Sequence, residues 1–272
     1  MASRRRSGAI YTGIVIVIAL VAVLLVRALS SSQSTIAYEH CTVGSYDLDP
    51  GQAAIASTMV GVVTTRALPE RAAVLALAAA LQESKLQDIA SGAGDRDSVG
   101  VLQQRPSQGW GSAAQLSDIH YATSAFLNAL LKVPSWQTLD LATAVQDVQV
   151  SADGSAYAQH EPEAQALADA LTGKQPAAIT CVFNKPTTVA AAASVASRVS
   201  ADLPINPPSA SGLTVSVRGA AWQTAAWFVA NAYGLGIDQV AYGGKQWTRA
   251  QGWRSAATTS SAVVATMAVV GR

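Results

Sequence analysis

The chain has 272 residues, half of them hydrophobic and only 13% charged, with a formal net charge of +1. That length suits one or two domains, and the near-neutral charge argues against a nucleic-acid-binding protein. Alanine is abundant throughout and raises apparent helix propensity everywhere, so caps and periodicity weigh more than composition.

Arg4, Arg5 and Arg6 precede an uncharged run over residues 7–26. Its apolar core, 9–26, is just long enough to cross a bilayer as one helix. The arginines keep the N-terminal end in the cytoplasm. Residues 1–30 therefore read as a cytoplasmic tip and single-pass anchor, and 31–46 as a linker. A cleaved signal peptide is the competing reading, but its apolar region is usually shorter, and Ala28-Leu29-Ser30 is a poor cleavage site. Either reading puts the bulk of the chain outside the cytoplasm. Cys41 and Cys181 agree with that placement and read as one disulfide, with Cα atoms about 4.4–6.8 Å apart. There is no C-x-x-C pair and the three histidines are scattered, so no metal and no cofactor is expected.

Between the cysteines the signals are helical. Asp49-Pro50 opens a first helix, with aspartate as cap and proline in the first turn. Ile55, Met59, Val62 and Val63 follow at helical spacing. A second helix starts at Pro69 and runs to about residue 86, carrying Glu83 behind Leu75, Leu77 and Leu81. Residues 90–111 are rich in glycine and polar side chains and read as a loop with a short pairing of extended segments. Asp118 caps a third helix that Pro134 ends. A fourth runs from about 140 to 151, and a fifth from Pro162 to the stop at Gly173.

After Cys181 the composition shifts. Residues 182–211 are rich in Ala, Ser, Thr and Pro and read as a linker with one short helix near 189–199. Residues 212–272 read as a small α+β domain. It has a strand at Val215 and Val217, a helix from Trp222 stopped by Gly234-Leu235-Gly236, and strands at 240–242 and 263–270.

Glu83-Ser84, followed after the loop by Gly100, Val101, Leu102 and Gln103, resembles the Glu-Ser … Gly-Leu-Met-Gln signature of the lysozyme-like superfamily, specifically soluble lytic transglycosylases and goose-type lysozymes. The resemblance covers roughly 47–173, within a domain read as 47–181. It implies a mainly α lysozyme-like domain, followed by the small α+β domain and preceded by the transmembrane helix. It also implies cleavage of the peptidoglycan glycan strand at the MurNAc–GlcNAc bond. The chemistry fits: a glycosidic leaving oxygen needs a proton donor, and an apolar wall keeps a carboxyl protonated near neutral pH. Glu83 is the candidate acid. Ser84, Gln103, Gln104, Trp110, Gln146 and Gln149 are candidate substrate-binding residues, the amides for acetamido and hydroxyl groups and Trp110 for stacking on a sugar face.

Two features depart from the family. Lytic transglycosylases carry an Ala-Tyr-Asn motif on a later helix, and the matching stretch here, 144–149, has no tyrosine. Tyr121 and Tyr157 are the candidates to replace it in space. Asp95 and Asp97, flanking Arg96, either pair with that arginine or supply the second carboxylate that a hydrolytic route requires. With Glu83 as the one indispensable acid, the non-hydrolytic transglycosylase route is favoured. The run from Gly94 to Gly111 also resembles a group of actinobacterial membrane-anchored extracytoplasmic proteins. The stretch 227–254 resembles part of secreted zinc DD-peptidase-like domains, but it has no histidine and only one acid, Asp238. That implies a metal-free unit that packs or binds an envelope protein partner, with Trp222, Trp227, Trp247 and Trp253 forming its core. The alternative function is a non-catalytic cell-envelope protein that binds peptidoglycan or a partner enzyme through the same groove.

Overall fold

The helix that carries Glu83 is packed on by several of the other helices described. A computed structural model describes residues 38–93, 96–150, 154–219, 221–257 and 260–270. Helix α1 (Pro50–Thr65) starts at Asp49, whose N–H donates to Gln52 Oε1 at 2.6 Å. Helix α2 (Glu70–Ser84) follows, and every residue from Ala72 to Leu81 is buried. Around it pack α1, α4 (Ile119–Leu130), α5 (Leu141–Gln149), α6 (Glu161–Leu171) and a short 3-10 helix, Gly154–His160. Six alanines between positions 72 and 80 let these neighbours come close.

The capping signals act where the sequence places them. The Asp118 carboxylate accepts from the N–H groups of His120 (2.8 Å) and Tyr121 (3.1 Å), and Asp140 accepts from Thr143 N–H at 3.0 Å. A one-turn helix, α3 (Ala113–Leu116), was not expected; Ser112 caps it.

The mainly α architecture expected from the sequence is wrong: the fold is mixed, with two antiparallel sheets. The smaller sheet has the order β2-β1-β3, from β1 (His40–Val43), β2 (Tyr46–Leu48) and β3 (Ile179–Val182). These strands have three or four residues each, too short for alternation to show, and β3 lies far along the chain from its partner. The expected disulfide is present: Cys41 and Cys181 face one another across β1 and β3. Their Cα atoms are 3.9 Å apart, closer than the expected range.

Residues 182–211 contain α7 (Ala192–Asp202) and β4 (Ser209–Ser211). The larger sheet has the order β4-β5-β9-β6-β7-β8, adding β5 (Thr214–Arg218), β6 (Ile237–Tyr242), β7 (Lys245–Thr248), β8 (Gly252–Ser255) and β9 (Ala262–Met267). Helix α8 (Trp222–Ala230), followed by the single turn α9 (Ala232–Leu235), packs against β6 and β9 on one side and α1 and α6 on another. One apolar core therefore runs from α2 into the larger sheet. The indoles of Trp247 and Trp253 donate to the carbonyls of Cys181 (3.0 Å) and Ile179 (2.8 Å), which seats that sheet on the disulfide-bearing strand. Trp227 and Trp247 are fully buried, while Trp222 meets Trp253 edge-on. The expected membrane anchor lies outside the described residues, and among the described residues no helix is long and apolar enough to cross a membrane.

A buried carboxylate ties the helices together. Asp202, at the end of α7, is 2% exposed. It accepts from Trp227 Nε1 (2.7 Å), from Thr58 Oγ1 (3.4 Å) and from His120 Nε2 (2.8 Å). This hydrogen bond, against the opposing effect of burial, raises the His120 pKa above its ordinary value. The stabilisation from the pair is complete below the unfolded imidazole pKa of about 6.5 and is lost as pH rises through the higher folded value. The thermal midpoint is therefore expected to fall as pH rises above about 6.5, and His120→Gln should flatten that dependence. An equal slope in the variant would remove the pair from the account.

Candidate active site

Glu83 sits in the last turn of α2, where the chain must turn sharply away. Lys85 (φ 55°) and Leu86 (φ 57°) are both left-handed. Their N–H groups close the helix on the carbonyls of Leu81 and Ala80, each at 3.1 Å. Glu83 is half-buried, with its carboxylate turned toward two later elements. The Tyr157 hydroxyl, on the 3-10 helix, donates to Glu83 Oε1 at 2.6 Å. The Gln149 side chain, the last residue of α5, also bonds Glu83. Burial pushes the carboxyl above its usual pKa and outweighs these two hydrogen bonds, which favour the charged form.

The Gly-x-Leu-Gln segment is strapped to this helix. Ser84 is buried, and its hydroxyl donates to the Val101 carbonyl at 2.7 Å. Gln149 Nε2 donates to the Leu102 carbonyl at 3.0 Å, so one amide bridges the acid and the loop. Val99 and Gln104 pair as an isolated antiparallel bridge, the short pairing expected for this loop. At Gly100 (φ 76°) a Cβ would fall 2.1 Å from the Leu116 carbonyl, so only glycine fits there.

The candidate binding residues divide. Gln103 is half-buried at the turn, with Nε2 donating to the Gly100 carbonyl at 2.8 Å. Gln104 is 2% exposed, and its side-chain amide makes no hydrogen bond among the described residues. Gln146 packs against Gly154, where a Cβ would meet its own at 2.8 Å; that contact lets the 3-10 helix approach α5. Trp110 is half-buried against the core, and its carbonyl accepts from Tyr121 OH at 3.2 Å. Of the two tyrosines left open by the sequence, Tyr157 is the one at the acid and Tyr121 is engaged elsewhere.

Asp97 of the acidic cluster is engaged further along the loop. Asp97 accepts from Arg105 Nε and from the Ser107 N–H, both at 2.8 Å. These bonds hold its carboxyl well below the usual carboxylate range. It is an ionised loop staple with both oxygens engaged. Asp95 lies outside the described residues. Among the described residues no group of three His, Cys, Asp or Glu side chains assembles into a metal site.

One strained backbone position lies close to the acid's partners. Val150, which ends α5 directly after Gln149, has φ 50° and ψ 44° and is 81% exposed. A β-branched residue in this region is a steric outlier. Val150→Gly is therefore expected to stabilise the fold by roughly 0.5–1 kcal/mol, the relief of strain exceeding the extra chain entropy of glycine. Urea denaturation measures this, and a destabilised variant would mean that the turn is not strained. Comparison with protein-family models and with curated proteins finds no match for this chain.

Proposed function

We propose that the protein cleaves the glycan strand of peptidoglycan at the MurNAc–GlcNAc bond, with Glu83 as the proton donor, and leaves 1,6-anhydro ends. The observation that carries this reading is the Glu83 carboxyl itself. Burial raises its pKa above the usual carboxylate value, Tyr157 and Gln149 lie against it, and the strapped loop over residues 100–104 borders it.

In this mechanism the Glu83 proton passes to the bridging oxygen as the bond from the MurNAc C1 breaks. The MurNAc C6 hydroxyl then attacks C1 and returns its proton to the Glu83 carboxylate. No water is consumed, so one carboxyl suffices. A hydrolytic route needs a water held by a second carboxylate, and the engagement of Asp97 by Arg105 and Ser107 speaks against its serving as that base. The proposal includes an N-terminal membrane anchor and an extracytoplasmic location, which the Cys41–Cys181 disulfide supports.

Digestion of purified peptidoglycan by the full-length protein, with mass spectrometry of the released muropeptides, tests it. Anhydro ends are expected. Reducing ends would replace the route with hydrolysis, and a folded protein that releases nothing would favour a wall-binding role.

A further inference from the structure

We propose that an open pocket away from Glu83 binds a carboxylate through Arg198 and His120, as the end of a short peptide or as a small organic acid. The cavity has a volume of about 410 Å³ and is lined in part by Thr58 of α1, Ser117, Asp118 and His120 at the start of α4, and Arg198 of α7. That volume lies within the range of small-molecule sites.

The cationic groups in it are differently prepared. His120 is fixed: its Nε2 donates to the buried Asp202 carboxylate, and the raised imidazole pKa that results favours its protonated form. Its Nδ1 is left 3.6 Å from Asp118 Oδ1, too far for a good hydrogen bond, so it can donate to a ligand. Arg198 is exposed and has no hydrogen bond or ion pair among the described residues, yet its charge is near enough to act on His120. A guanidinium takes a carboxylate through two parallel hydrogen bonds.

The acidic groups set the charge of the ligand. Asp202 is neutralised by His120 and enclosed. Asp118 caps α4 and remains at the cavity wall, where it would repel a dianion such as phosphate. Arg198 is then the cation left for the ligand, and the Asp118 charge disfavours more than one negative charge beside it.

The cavity also adjoins the loop at the acid. Ser117 follows Leu116, whose carbonyl closes on Gly100. A ligand in the cavity and a glycan at Glu83 would thus border the same short helix, α3. Choosing a peptide rests on the glycan-cleaving reading, because wall peptides end in carboxylates; the carboxylate chemistry itself does not.

The test is titration of the full-length protein, followed by calorimetry and by the imidazole proton resonances. The probes are N-acetyl-alanyl-alanine, its C-terminal amide, acetate and inorganic phosphate. The peptide acid should bind and shift the His120 resonances alone, and the amide should not. Arg198→Gln, at an exposed position, should weaken binding about tenfold or more, while Glu83→Gln should leave it unchanged. Acetate binding as tightly as the peptide would identify a small acid as the ligand. Equal binding of acid and amide, an unaffected Arg198→Gln protein, tighter binding of phosphate, or no binding up to about 10 mM would each overturn the site. Carboxylate binding by a protein that releases no muropeptides would sink the glycan-cleaving reading and leave this one standing.

Discussion

A Glu83→Gln protein should keep its fold and release muropeptides about 10²–10⁴-fold more slowly than wild type. Glutamine is nearly isosteric, and its oxygen still accepts the Tyr157 hydroxyl that now bonds Oε1 at 2.6 Å. What it lacks is the proton. The pH profile adds a readout that loss of fold would not reproduce. Activity falls as pH rises through the Glu83 pKa, because the acid must be protonated to donate. Tyr157 donates to the charged form and pulls that pKa down against burial. Tyr157→Phe should therefore raise the pKa further and move the alkaline limb to higher pH, whatever it does to the maximal rate. An unmoved limb would make Tyr157 a packing residue only, and a Glu83→Gln protein as fast as wild type would end the assignment of Glu83.

The second large effect is expected at the disulfide. Its cysteines are separated by 140 positions, for which the chain-entropy model gives about 5 kcal/mol, with measured removals typically about 2–5 kcal/mol. A Cys41→Ala/Cys181→Ala protein should lose stability in that range in urea denaturation. The loss acts mainly through the unfolded chain, which gains the freedom to separate its ends. The bond also fixes β3, on which Trp247 and Trp253 are seated, so the larger sheet should lose protection against hydrogen exchange with it. A change under about 1 kcal/mol would mean that strand pairing alone holds these ends together.

The helices were legible because their caps are local. Asp49-Pro50, Asp118 and Asp140 each act within three residues of themselves. The smaller sheet was not, since HCTV, YDL and ITCV are too short to show a period and their pairing joins distant ends of the chain. At the site, the motif pointed to Glu83 and its loop, and Gln149 was visible, with Gln146, in the stretch that matches the family's Ala-Tyr-Asn motif. The left-handed turn that follows at Val150 was not legible, because valine gives no sign of that conformation. Tyr157 was one of two candidates because a 3-10 helix leaves little periodicity to read. Asp202 lies in an Ala/Ser-rich stretch, where nothing local announces that a carboxylate will be buried among Thr58, His120 and Trp227.

The alanine-lined helix that bears the acid has a bearing on how mutational maps of this protein should be interpreted. From Ala72 to Leu81 no side chain reaches solvent freely, so an added methylene anywhere along that stretch costs about 1–3 kcal/mol through overpacking. A saturation screen scored by wall digestion would show a continuous inactive band over 72–81, produced by misfolding and unconnected with proton transfer. Protein abundance measured beside activity separates the two. The band should vanish when activity is normalised to folded protein, and Glu83, two residues beyond it, should remain.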